Sequence, residues 1–395
     1  MQISLPQPDA GAIAHSQALH AHIKQMIQQK NGWISFAEFM QLALYAPGLG
    51  YYSGGAKKFG AQGDFVTAPE ISSLFSRTIA HQAAQVLAAL KLQSIHGNIL
   101  ELGAGTGRLA KDMLLELANL NQLPQQYFIL EVSAHLRVVQ RETLQASLSA
   151  DLVSRVVWLE SLPAEFDGFI FGNEVLDALP IHLIKQNEGV PVEVGVAEKV
   201  GDAGDAGFVW QEAVLQDLNL QRFVEQLHLS DGYLTEICPL ASALMASLAS
   251  ILRHGALIMI DYGFSRQEYY HPQRRQGTLM CHYRHHSHSD PFAYLGLQDI
   301  TAHVDFTRIA EAGVVHGLTL EGFLTQAQFL LNAGITELLQ EVPADDLEHY
   351  LPAVTASQKL LSPAEMGELF KVIGFKKNLE LALLGFSTGD KTHTL

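Results

Sequence analysis

Short apolar runs alternate with stretches of helical periodicity through the middle of this chain, and several of the runs end on an acid or a glycine. The runs are Asn98-Ile99-Leu100, Gln126-Tyr127-Phe128-Ile129-Leu130, Arg155-Val156-Val157-Trp158, Gly168-Phe169-Ile170-Phe171 and Ala256-Leu257-Ile258-Met259-Ile260. Apolar residues at successive positions predict strands covered on both faces, as in a parallel sheet. After the first run, Arg108-Leu109-Ala110-Lys111-Asp112-Met113-Leu114 has the spacing of a helix. The pattern predicts an α/β fold with a parallel sheet.

Outside these runs the pattern changes. Ile13 to Ile27 carries apolar residues at near-helical spacing, and Ser35-Phe36-Ala37-Glu38 opens a second helix with a capping box. Two glycine-rich stretches, Ala46 to Tyr52 and Gly60 to Glu70, predict a lid or flap. Thr67 and Glu70 repeat the capping spacing with Pro69 inside the first turn, so a helix is expected through Ile71 to Leu90. Ile181 to Val214 alternates in β fashion between glycine turns, which predicts an inserted hairpin or small subdomain, followed by helices between Asp217 and Arg253. Leu379 to Leu384, closed by Gly385, reads as a last strand. No internal repeat or low-complexity segment is present.

Candidate chemistry begins at Glu101-Leu102-Gly103-Ala104-Gly105-Thr106-Gly107, between the first strand and its helix. Glycines permit a tight turn and a close approach of ligand to backbone, and the free amides at a helix start point into the same crevice. The spacing is G-x-G-x-G. A dinucleotide fingerprint needs a third glycine at 108, where this chain has Arg108, so a nicotinamide enzyme is disfavoured. Glu101 would repel a pyrophosphate and attract an ammonium, which favours S-adenosylmethionine. Glu131, at the end of the next strand and one βαβ spacing further on, is suited to accept hydrogen bonds from ribose hydroxyls.

A second constellation, Asn173-Glu174-Val175-Leu176-Asp177-Ala178-Leu179-Pro180, follows the Phe169 to Phe171 strand. Asn173 could hold the methionine end of the cofactor or a substrate amide. Glu174 and Asp177 would share a face on a helical turn and could grip a guanidinium, with one of them assisting proton removal. Helix capping or pairing with structural arginines is the competing reading of these acids.

Composition then narrows the classes. The 395 residues are 48% hydrophobic, enough for one elaborated domain or two. A net charge of -16 argues against a nucleic-acid-binding surface and suits a cationic substrate. No run approaches the length of a spanning helix, and Met1 to His22 lacks a basic leader followed by an apolar core, so a cytoplasmic protein without membrane insertion is expected. Cys238 and Cys281 lie far apart and form no redox or metal spacing. His282, His285, His286 and His288 have no accompanying cysteine or acid to complete a ligand set, so they read as a polar flexible loop and no metal is expected.

The ordered set Gly50-Tyr51-Tyr52, Gly63-Asp64-Phe65-Val66-Thr67-Ala68-Pro69-Glu70, the glycine loop, Asn173 to Pro180, Asp261-Tyr262-Gly263, Gly277-Thr278-Leu279, Asp290-Pro291-Phe292 and Asp299 to Phe306 resembles the MidA-like family of class I S-adenosylmethionine-dependent methyltransferases. That family includes a mitochondrial respiratory complex I assembly factor that is a protein arginine methyltransferase. The resemblance implies a Rossmann-like seven-stranded sheet with an N-terminal helical cap and a substrate-side insertion. The expected divisions are 1–92 for cap and flap, 93–180 for the first part of the cofactor core, 181–254 for the insertion, and 255–395 for the rest of the core. It implies cofactor binding at the Gly103 to Gly107 loop; with the residue reading, the expected cofactor contacts are Glu101, Gly103, Gly105, Gly107, Glu131, Asn173, Asp64 and Thr67, and the expected catalytic residues Glu174 and Asp177. The expected partner is a protein substrate, with a respiratory complex subunit as one candidate and a homodimer as one form of the enzyme. Two alternatives stay open: a methyltransferase for another side chain or a small molecule, and a cofactor-binding assembly module without efficient catalysis.

Overall fold

The computed structural model describes residues 5–54, 67–199 and 207–395. The chain divides into two compact units. One comprises the described parts of Val66–Leu176, Ser242–Ser265 and Val304–Leu395, and the other those of Met1–Phe65, Asp177–Ala241 and Arg266–His303.

The first unit is built on a central sheet. Its strands are β1 (Asn98–Leu102), β2 (Tyr127–Leu130), β3 (Val156–Leu159), β4 (Phe166–Asn173), β5 (Leu252–Phe264), β6 (Thr319–Thr325) and β7 (Phe370–Lys377). They lie in the order β3-β2-β1-β4-β5-β7-β6, with an eighth, two-residue strand at Val304–Asp305 beside the end of β5. β1 to β5 run parallel, and β7 is antiparallel to both β5 and β6. The chain leaves β1 toward β2 and β3, then returns to lay β4 on the other side of β1. The carboxyl ends of β1 and β4 therefore flank the point where the winding reverses, the position at which open α/β sheets bind ligands. Phe169, Phe171, Ile258, Ile260, Tyr127 and Ile129 bury the middle of the sheet under helices Ser73–Leu92 and Arg108–Asn119. The α/β class and its mainly parallel sheet follow from the apolar runs.

The antiparallel edge differs from expectation, because neither β6 nor β7 is among the strands that the apolar runs predict. Leu379 to Leu384 is not a strand; β7 precedes it, and the left-handed Asn378 (φ 47°) ends the ladder. Leu379 and Leu383 are buried, while the amides of Leu384 and Gly385 bond to Gln85 Oε1 and Gln82 Oε1 on helix Ser73–Leu92. The backbone is satisfied by side chains, so an apolar run packs here without sheet pairing.

The second unit holds helix Ala10–Gln29, capped by Asp9, and helix Phe36–Tyr45, where Ser35 and Glu38 form both bonds of the capping box. The alternating segment forms antiparallel strands His182–Asn187, Val190–Glu198 and Phe208–Val214. Leu234–Ile237 and Trp33–Ser35 complete a five-stranded sheet. The histidine cluster, expected as a polar flexible loop, forms a regular hairpin. Met280–Tyr283 pairs with His286–His288 across Arg284 and His285, both left-handed, as a tight two-residue turn demands. Among the described residues no group of three or more His, Cys, Asp and Glu is placed to hold a metal ion, and no helix is long and apolar enough to cross a membrane.

Candidate cofactor site and catalytic edge

At the end of β1 the chain turns sharply through Gly103 (φ 63°), Gly105 (φ 51°) and Gly107 (φ 84°) into helix Arg108–Asn119. Left-handed backbone at three alternate positions accounts for the glycine spacing, because a side chain there would be strained. Two backbone bonds shape the turn, Gly103 N to Leu130 O at 3.0 Å and Gly107 N to Ala104 O at 2.7 Å. Gln140, on helix Ala134–Ser147, lies beneath it. Its Nε2 donates to Gly105 O and to Glu131 Oε2, both at 3.0 Å, and its Oε1 accepts from Trp158 Nε1 at 2.9 Å. Glu131 Oε1 accepts from the amide of Ser133 at 2.9 Å, so this carboxylate is fixed at the end of β2.

Glu101 is buried, 3% exposed, and accepts from the Tyr127 hydroxyl at 2.7 Å. Burial pushes its carboxyl up to about 8 against the opposing effect of the Tyr127 hydrogen bond, and the charge of Glu131 adds to the rise. A carboxyl kept protonated by its surroundings is poised to ionise when a cation arrives.

The carboxyl end of β4 borders the glycine loop directly. Leu102 pairs with Gly172, and a Cβ placed on Gly103 would lie 3.5 Å from Val175 Cγ2. Asn173 Nδ2 donates to Glu174 Oε1 at 2.8 Å, while Asn173 Oδ1 is buried with no hydrogen-bond partner among the described residues. Such an orphaned acceptor fits a ligand that brings a donor to this edge. Glu174 is half-buried and left-handed (φ 54°), and its amide donates to Ile260 O at 2.9 Å. The helical turn expected to bring Glu174 and Asp177 onto one face does not form. Asp261, fully buried at β5, accepts from the amides of Val175 at 3.1 Å and Leu176 at 2.9 Å, and holds the segment as an irregular turn. Asp177 is buried in the other compact unit, where burial, Asp299 and Tyr45, and after them Asp177, push the Tyr52 hydroxyl far up.

Thr67 forms no side-chain cap on the helix that it precedes, and Glu70 turns elsewhere instead of completing a capping box. Asp64 lies outside the described residues. Sequence reasoning assigned no role to Gln140, Tyr127 or Asp261. Asp261 carries the same signal as Glu101 and Glu131, an acid at the end of an apolar run; Gln140 carries none, because its partners are distant in sequence.

Residues 78–324 match the model of a family described as S-adenosyl-L-methionine-dependent methyltransferases. A crystal structure of a Burkholderia thailandensis protein bound to S-adenosyl-homocysteine is 48% identical and superposes with a TM-score of 0.93, covering 99% of this chain and 100% of that one. A second, native structure from the same organism is 47% identical over the same shares, with a TM-score of 0.91. Among curated proteins, the zebrafish protein arginine methyltransferase NDUFAF7, mitochondrial, is 29% identical over 89% of this chain and 85% of its own length. The Caenorhabditis elegans homologue is 27% identical over 94% and 92%. These relatives are named as mitochondrial, which overturns the cytoplasmic location expected from the start of the sequence. A glycine cradle at the reversal point of the sheet, its acidic neighbours and these matches agree: the chain belongs to the MidA-like family of class I S-adenosylmethionine-dependent methyltransferases, and S-adenosylmethionine is its cofactor.

Proposed function

We propose that this methyltransferase acts on an arginine of a partner protein. The observation that carries the reading is the contact of the Asn173 to Val175 edge with the glycine loop, which puts a half-buried carboxylate, Glu174, beside the cofactor cradle. The curated relatives named as protein arginine methyltransferases over most of their length support the choice of substrate. When bound, S-adenosylmethionine supplies a methyl group activated on a sulfonium. Glu174 orients the guanidinium and accepts the proton that its nitrogen loses during or after transfer. Gly103, Gly105 and Gly107 admit the cofactor against the backbone, Glu131 accepts from the ribose hydroxyls, Glu101 faces the ammonium, and Asn173 and Thr67 line the rest. A respiratory complex subunit as target and a homodimer as the working form are further parts of this reading, drawn from the family resemblance. Wild-type enzyme given methyl-labelled cofactor and a cell lysate is expected to label protein bands whose hydrolysates contain methylarginine; label confined to other residues or to small molecules would refute the arginine assignment.

The role of Glu101 has its own test. At a pH below 4.5 its carboxyl is protonated whether the chain is folded or not. Between 4.5 and about 8 the unfolded chain releases a proton that the folded chain keeps, so this group makes the cofactor-free enzyme less stable as pH rises through that window. An ammonium beside Glu101 favours its ionised form. Binding of S-adenosylmethionine at pH 7 is therefore expected to release about one proton, measured by calorimetry in buffers of different ionisation enthalpy. Glu101→Gln is expected to release almost none; equal release by both proteins would remove Glu101 from the ammonium site.

A further inference from the structure

The glycine loop has little conformational preference of its own, because left-handed glycines are freer than any other residue. Its lower side is held by Gln140. Its helix-entry side is held by the Glu70 carboxylate. Glu70, on the short helix Ala68–Ile71, accepts the Thr106 hydroxyl on Oε1 and the Arg108 guanidinium on Oε2 at 2.9 Å, and its backbone oxygen lies 3.4 Å from the same Arg108 Nη1. The Glu70 side chain is 11% exposed, so its carboxylate is shielded, whereas the 43% exposed Arg108 supplies the balancing charge. Thr67, at the start of the same helix, makes no cap. The Thr-Ala-Pro-Glu segment therefore spends its acid on the cofactor loop rather than on its own helix.

We propose that Glu70 is a positioning residue for the cofactor: it clamps Thr106 and Arg108 and so holds the Ala104 to Gly107 amides in the binding conformation. The chemistry suits this task. A carboxylate bridging a hydroxyl and a guanidinium makes two charge-assisted bonds, which fix direction more firmly than neutral ones. The bridge joins residues 36 and 38 positions apart, so cofactor affinity becomes linked to the placement of the segment that carries Glu70. Arg108, which rules out the dinucleotide fingerprint, has a use here as the counter-charge that lets an acid sit against the loop.

The test is a double-mutant cycle on the full chain, Glu70→Ala, Thr106→Val and both together, with S-adenosylhomocysteine affinity measured by calorimetry and the melting temperature of the cofactor-free protein measured beside it. Each single variant is expected to weaken binding about tenfold, as for hydrogen bonds to a charged group. The double variant is expected to bind no worse than the weaker single, because both break one clamp. Glu70→Gln, which keeps an acceptor for Thr106 but loses the charge opposite Arg108, is expected to fall between wild type and Glu70→Ala. Additive losses, or a Glu70→Ala protein that folds and binds within twofold of wild type, would overturn the proposal. Should Glu70→Ala fail to fold, Thr106→Val decides alone, and binding within twofold of wild type refutes the clamp. A purely structural bridge would lower the melting temperature without producing coupling in the affinity.

Discussion

Glu174→Gln is expected to slow methyl transfer by a factor of about 100 to 10,000 at saturating cofactor, the range for loss of a positioned general base. Affinity for S-adenosylmethionine should stay within about twofold, since the amide keeps the shape and the hydrogen-bonding reach of the acid. The geometry favours a clean result. The Glu174 backbone is anchored to Ile260 O, and the side chain is steadied by Asn173 Nδ2, so the substitution has little reason to move the turn. A left-handed non-glycine residue at a strand end is a strained position of the kind found at functional sites. Single-turnover transfer of a labelled methyl separates the chemical step from binding. An unchanged single-turnover rate would show that Glu174 takes no proton, and would leave the guanidinium to be deprotonated elsewhere. A large loss with intact cofactor binding would instead exclude the assembly-module alternative.

The second large effect is expected at the cradle. Gly103→Val should weaken S-adenosylmethionine binding by at least about a hundredfold while leaving the protein folded. Gly103 has φ 63°, a region that β-branched residues scarcely enter, at a cost of roughly 1 to 3 kcal/mol. Space adds to the strain. An ideal Cβ already makes van der Waals contact with Val175 Cγ2 at 3.5 Å, so the two methyls of valine would press on the segment that carries Glu174. Gly103→Ala meets only the first obstacle and is expected to lose about tenfold. Calorimetry gives the affinities, and circular dichroism with thermal melting shows whether each variant is folded. Wild-type affinity in a folded Gly103→Val protein would refute the assignment of this loop to the cofactor.

Much of the core was legible because burial on both faces of a parallel sheet leaves a simple trace, an apolar run of strand length. Acids that end such runs stand out for the same reason, which is how Glu101 and Glu131 became candidates. Asp261 carried this trace too, but its task of accepting the Val175 and Leu176 amides needs β5 laid beside β4. Its two bonds decide that Asn173 to Asp177 is an irregular turn, where spacing alone suggested a helical face for Glu174 and Asp177. Glu70 was misread for a related reason. A glutamate three residues after a threonine scores as a cap whatever lies above it, and the competing donors, Thr106 and Arg108, come close only in the folded chain.

Local pattern by itself determined the five parallel strands of the core, the glycine turn and the acids at the strand ends, since these depend on burial, backbone sterics and charge within a few residues. The tertiary structure alone decided which side chains satisfy one another. It brought Gln140 to the loop and Glu70 to its helix entry, and it replaced an expected last strand by a buried run tied to Gln82 and Gln85. The physical reason is that hydrogen-bonding groups take the partner that folding brings within about 3 Å, and sequence separation does not limit that choice.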